Sequence, residues 1–211
     1  EVRVRVAACG LNPVDAKLRA GRSRMQLPLP VRVGREFSGW VEALGPGVEG
    51  FALGHRVFGS ITQGCAAEHL VAPAEALTRV PEGLDLQRAA GLALAGQTAW
   101  DALGSQPLAP GDTIVVSAAA GGVGGILSQL AVARGLRVIG TAGADNHDWL
   151  RARAVEPVAY GPGLRDRLAS LTPNGIAAVF DQAGPETIEA ALALGVPAER
   201  INTIATDASV Y

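Results

Sequence analysis

The residues best suited to chemistry lie in Thr113-Ile-Val-Val-Ser-Ala-Ala-Ala-Gly-Gly-Val-Gly124, where an apolar strand signal runs into a glycine-rich turn. A helix is predicted to follow, from about Val123 to Arg134. Strand, glycine turn and helix in that order make a cradle for a dinucleotide pyrophosphate. Gly121, Gly122 and Gly124 allow the main chain to approach where a side chain would intrude, and the N–H groups that open the helix face the anion. Ala119, Gly121, Gly122, Val123 and Gly124 are therefore expected cofactor-binding residues. A lone glycine fingerprint says little, and the flanking elements give this one its weight.

The second strand of such a fold carries the choice of dinucleotide. An NAD-preferring chain places an acidic residue about 20 positions beyond the glycine turn, where it binds the ribose 2′-hydroxyl. Here the predicted strand Arg137 to Thr141 ends beside Ala142, a small residue that leaves room for a 2′-phosphate and removes a repelling carboxylate. NADPH is the expected cofactor, and Thr141 joins the expected site. Asp145 departs from this pattern, because a neutral or basic side chain would suit a phosphate better.

Composition narrows the remaining possibilities. The chain has 211 residues, a net charge of −2 and 48% hydrophobic content, enough to bury a substantial core. The arginines are scattered, which argues against nucleic acid or an anionic membrane surface as a partner. No apolar run approaches the roughly 20 residues of a membrane span, and no signal-peptide pattern opens the chain, so a cytoplasmic location is expected. Cys9 and Cys65 are too few for a cysteine-rich zinc site and read as small buried hydrophobes. His55, His69 and His147 are widely spaced and read as solvated or structurally paired. Trp40, Trp100 and Trp149 are isolated and read as packing residues.

The positioning elements change character along the chain. In the first part Val2, Val4 and Val6 alternate with Arg3 and Arg5, a half-buried strand. Further strands are predicted at Phe37 to Leu44, Arg56 to Phe58, Ala66 to Val71 and Leu77 to Val80, punctuated by glycine and proline. This reads as a strongly bent sheet or barrel. Helical patterns then begin near Asp85 and run from Leu92 to Leu103. From Asp112 on, strands and helices alternate, with strands at Thr113 to Ser117, Arg137 to Thr141, Val158 to Tyr160, Ala177 to Asp181 and Arg200 to Ile204. Helices are expected near Asp145 to Arg153, Leu164 to Leu171 and Glu186 to Leu194. Such alternation implies α/β architecture, a parallel sheet covered by helices on both faces. The chain opens inside a strand and stops after the fifth strand of a fold that commonly has six, so both ends look truncated.

Gly10-Leu-Asn-Pro-Val-Asp15, Pro30-Val-Arg-Val-Gly-Arg-Glu-Phe-Ser-Gly39, Gly96-Gln-Thr-Ala-Trp100 and Ala118-Ala-Ala-Gly-Gly-Val-Gly124 occur in the order of a known family. Together they resemble the medium-chain dehydrogenase/reductase superfamily, closest to its zinc-independent quinone oxidoreductase branch. The resemblance implies a GroES-like β-rich catalytic domain over 1–90 and a Rossmann-type, doubly wound NADPH-binding domain over 91–211. Zinc members have a cysteine where this chain has Asn12 and a histidine where it has Arg35, so no metal site is expected. The implied activity is hydride transfer from NADPH to a quinone or α,β-unsaturated carbonyl. Asn12 is the candidate catalytic residue, either donating to substrate or holding the nicotinamide ribose, and its plainer role is that of a turn former before Pro13. Thr98 is carried over near the nicotinamide, and Tyr160 and Asn146, with His147, near the 2′-phosphate. A homodimer is implied as well. The alternatives are an enoyl-thioester reductase and a non-catalytic, crystallin-like NADPH-binding protein.

Overall fold

Valine alternating with arginine builds the first strand, β1 (Val2–Gly10), which buries Val2 and Val4 and leaves Arg3 and Arg5 exposed. The structure, a computed structural model, describes residues 1–23, 25 and 27–205 and falls into two units, Glu1–Gln97 and the residues from Thr98 on. In the first unit β1 pairs antiparallel with β2 (Glu36–Leu44), and its register shifts between Arg3 and Val4 and between Val6 and Ala8. Such irregularities bend a strand and sharpen its twist. β3 (Arg56–Ser60), β4 (His69–Ala72) and β5 (Leu77–Arg79) complete an antiparallel sheet of order β4-β1-β2-β3-β5. Its core gathers Val2, Val4, Phe37, Val41, Val57, Cys65 and Leu70.

Two short helices belong to this unit. α1 (Pro13–Arg19) starts on a proline, whose missing N–H costs nothing in the first turn. α2 (Leu86–Ala89) is capped by Asp85, whose carboxylate accepts from the Arg88 N–H at 2.8 Å. The division between the units falls within α3 (Ala93–Gly104).

The second unit alternates β6 (Thr113–Val116), α4 (Gly122–Ala133), β7 (Arg137–Thr141), α5 (His147–Arg151), β8 (Val155–Val158), α6 (Leu164–Leu171), β9 (Ala178–Asp181), α7 (Pro185–Ala193) and β10 (Ile201–Thr203). All strand pairs are parallel, in the order β10-β9-β6-β7-β8. Both faces are buried. Ile114, Val116, Val138 and Phe180 join one apolar cluster, while Val115, Ile139 and Val179 join another. That explains why these strands read as continuous apolar runs.

β4 begins three residues later than the expected Ala66, and one strand of the parallel sheet is displaced as well. The third strand of this sheet is Val155–Val158 rather than Val158 to Tyr160, and it contains Pro157. β8 lies at the sheet edge, where a missing ladder donor is tolerated. Tyr160 therefore stands in the loop beyond the strand.

From β6 the chain runs outward through β7 to β8, then crosses back to β9 and β10 on the other side of β6. The reversal between β6 and β9 is the topological switch point, where ligands bind in sheets of this kind.

Candidate functional site

A cavity of about 660 Å³ opens at the carboxyl ends of these strands. Its walls are the loop after β6 (Ala118, Ala120, Gly121), the end of β7 and the loop beyond it (Thr141 to Gly143, Asp145, Asn146), and the loop after β9 with the first turn of α7 (Ala183 to Thr187), with Tyr160 after β8. The β6 and β7 loops are tied together: Ala119 N–H donates to the Thr141 carbonyl at 3.0 Å, and Ala118 N–H to Thr141 Oγ1 at 3.3 Å. Ala118 has φ +46°, unusual for a residue with a side chain, and turns the chain into α4.

The glycines of the turn divide by role. Gly121 is the N-cap of α4, and no side chain caps it, so the first N–H groups of the helix remain for an anion. A Cβ on Gly122 would meet nothing within 4 Å, and one on Gly121 would lie 3.1 Å from the Ala118 oxygen. One on Gly124 would lie 2.3 Å from that same oxygen, so the third glycine lets α4 pack onto the turn.

Of the expected cofactor residues, Gly121, Thr141, Asn146 and Tyr160 line the cavity. The others lie elsewhere. Ala119 is fully buried, Gly122 is exposed on the first turn of α4, Val123 packs against the core, Gly124 is buried under the turn, and Thr98 is on α3. Gly184, Pro185, Glu186 and Thr187 also line the cavity, and only their place after a strand signalled them in the sequence. Asp145 and Glu186 bring two carboxylates, and no lysine or arginine is among the lining residues described.

Asp181 ends β9 and is wholly buried. One oxygen accepts from Ser117 Oγ (2.8 Å), Gly184 N–H (2.9 Å) and Ala183 N–H (3.1 Å), and the other from Thr203 Oγ1 (2.7 Å). Burial alone would raise its pKa. The hydrogen bonds from Gly184, Thr203, Ala183 and Ser117 outweigh burial and hold it below the ordinary carboxylate range. Ser117 Oγ in turn accepts from the Gln182 N–H at 2.7 Å. Asp181 thus shapes the loop that walls the cavity.

In the first unit Asn12 is the N-cap of α1. Its main-chain N–H donates to the Asp15 carboxylate at 2.9 Å, and its side-chain amide donates to Glu36 Oε1 at 2.7 Å. The other Glu36 oxygen accepts from the Leu94 N–H at 2.8 Å. Arg35 donates to the Thr62 carbonyl at 3.2 Å, so Glu36 is held by amides and not by its neighbouring arginine.

The remaining conspicuous side chains have structural partners. His55 Nδ1 accepts from the Ala52 N–H at 2.9 Å, His69 pairs with Glu42 at 3.4 Å, and His147 Nε2 lies 3.2 Å from the Ala142 carbonyl. Among the described residues, no three of His, Cys, Asp and Glu form a group suited to a metal ion. Cys9 and Cys65 are free thiols; Cys65 is fully buried, and burial pushes its thiol up to about 12. The tryptophans do more than pack: Arg5, Arg134 and Arg153 stack over Trp40, Trp100 and Trp149 at 4.2, 4.7 and 3.8 Å. No helix of the described residues is long and apolar enough to cross a membrane.

The alcohol dehydrogenase GroES-like domain family matches residues 1–82. The human protein named quinone oxidoreductase is 37% identical over 147 residues, which span 69% of this chain and 45% of that protein. The chain thus spans about half the length of the curated relatives it matches. Among solved structures, an alcohol dehydrogenase superfamily protein from Novosphingobium aromaticivorans superposes with a TM-score of 0.86 at 34% identity, over 91% of this chain and 61% of that one. A quinone oxidoreductase from Thermus thermophilus, solved alone and with NADPH, superposes with a TM-score of 0.78 at 32% identity, over 92% and 61%.

Proposed function

We propose that this chain, which belongs to the medium-chain dehydrogenase/reductase superfamily, binds NADPH and reduces a quinone or α,β-unsaturated carbonyl without zinc. The observation that carries the reading is the cavity at the carboxyl ends of β6, β7 and β9, walled by a glycine turn and set at the uncapped start of α4. The fit to a dinucleotide is chemical: open space over Gly122, N–H groups free for a pyrophosphate, and the small Ala142 where an NAD-preferring fold carries a carboxylate. The similarity to a protein solved with NADPH supports it.

Bound there, NADPH supplies a hydride, and the protein contributes orientation, exclusion of water and hydrogen bonds to the developing oxyanion. Gly121, Thr141, Asn146 and Tyr160 hold the cofactor in this reading. Asn12, on the first unit and held by Glu36, is assigned in this reading to donate to substrate or to the nicotinamide ribose. Asn12 and Arg35 stand where zinc members place cysteine and histidine, and neither replaces thiolate or imidazole for that ion. The resemblance carries with it a homodimer in the cytoplasm, and light scattering on the purified protein tests the dimer.

The deciding assay follows loss of reduced-nicotinamide absorbance with a panel of quinones, simple enones and an enoyl thioester. Turnover of quinones or enones above the thioester is expected. Preference for the thioester selects the enoyl reductase, and tight NADPH binding without turnover of any acceptor selects a non-catalytic binding protein.

A further inference from the structure

Arg167, on the first turns of α6, takes no part in lining the cavity, yet its guanidinium is committed entirely to the loop that carries Tyr160. Nε donates to the Ala159 carbonyl at 3.1 Å and Nη1 to that of Pro162 at 2.8 Å. Nη2 reaches the carbonyls of Ala159 (2.9 Å), Tyr160 (3.3 Å) and Gly161 (2.9 Å). Consecutive carbonyls from 159 to 162 therefore converge on one cation. The loop is built to allow it: Gly161 and Gly163 have φ +92° and +82°, and a Cβ on Gly163 would stand 3.1 Å from Arg167 Nη1.

Tyr160 itself is 61% exposed, so packing does not hold its ring. What places it beside the cavity is its main chain. The hydroxyl lies 3.7 Å from where a Cβ of Gly143, another lining residue, would sit. We infer that Arg167 is a positioning residue for the dinucleotide: by gathering the 159–162 carbonyls it pre-sets Tyr160 against the cavity, and the cofactor does not bear the entropy of ordering that loop. This rests on the reading that the cavity takes NADPH. Lysine cannot substitute, because a compact ammonium with three donors does not span a row of carbonyls as a planar fork with five does.

The test combines two measurements on Arg167→Lys, Arg167→Met, Tyr160→Ala and the double variant Tyr160→Ala/Arg167→Met. In the protein without cofactor, amide exchange at 164 and 167, whose N–H groups donate to the Gly161 and Gly163 carbonyls, accelerates in both Arg167 variants, while exchange in β6 stays slow and reports an intact fold. In NADPH titrations each single variant binds about tenfold more weakly, and the double variant binds no more weakly than Tyr160→Ala, because the two residues act as one unit. Rescue of affinity by lysine, or unchanged affinity despite faster loop exchange, overturns the inference alone. So does a double variant whose loss is the product of the two single losses. If the unsubstituted protein binds no NADPH, the proposed function fails and takes this inference with it.

Discussion

Glu36 Oε1 accepts from the Asn12 amide at 2.7 Å and Oε2 from the Leu94 N–H at 2.8 Å. This turns the NH₂ side of Asn12 to Glu36, while its side-chain oxygen faces the first turn of α1 in a capping box with Asp15. Gly10 belongs to the same arrangement, since a Cβ there would lie 2.4 Å from Glu36 Oε1. Asn12→Ala is expected to lower kcat by roughly a hundredfold, the scale of losing one oriented donor, with little change in NADPH affinity. Glu36→Gln should reproduce part of that loss, because an amide at 36 no longer dictates which way Asn12 faces, and the double variant should be no slower than Asn12→Ala. Steady-state kinetics with separate KM values check this, and unchanged kcat in Asn12→Ala returns the residue to a turn former before Pro13. The asparagine was legible in the sequence as a polar residue before Pro13 in a segment that carries the family resemblance. Its orientation was not, because Glu36 lies 24 residues away and meets it only across the folded chain.

The β6–α4 turn was legible as an element, since its strand, glycines and helix are local signals. The division of labour among the glycines was not. Gly121→Val should weaken NADPH binding strongly while costing less stability than a side chain at Gly124, because Gly121 faces the cavity with ordinary backbone angles (φ −81°, ψ −179°) and a Cβ there stays 3.1 Å from the Ala118 oxygen. Gly124→Ala should act in the opposite order, lowering stability by about 1–3 kcal/mol, because its Cβ would press on a main-chain oxygen that cannot give way. Thermal unfolding without cofactor, beside NADPH titration, separates the two. Equal melting temperatures for the two variants would contradict the assignment. β8 shows the limit of local signals from the other side. Pro157 argues against a strand in any sequence window, and only its place at the sheet edge makes it acceptable.

At the scale of the whole molecule, Asp181 joins parts of the chain that no periodicity connects: Ser117 beyond β6, Thr203 on β10 and the loop into α7. Its folded-state pKa lies below the unfolded value, so its stabilisation is complete above about pH 4 and is lost as pH falls through the folded pKa. Asp181→Asn should cost about 1–3 kcal/mol at neutral pH through lost charged hydrogen bonds. The gap to the parent should narrow below pH 4, read by urea unfolding across pH 3 to 7; a constant gap would show that the charge is not what matters there. By itself the sequence determined the kinds of elements and their order and the glycine turn between strand and helix, because period, glycine placement and residue chemistry act over a few neighbours. The tertiary structure alone decided the strand order, the buried role of Asp181, the facing of Asn12 and the arginine that gathers the Tyr160 loop. Each of these depends on which distant groups are brought within hydrogen-bonding distance once water is excluded, and no local window of residues carries that information.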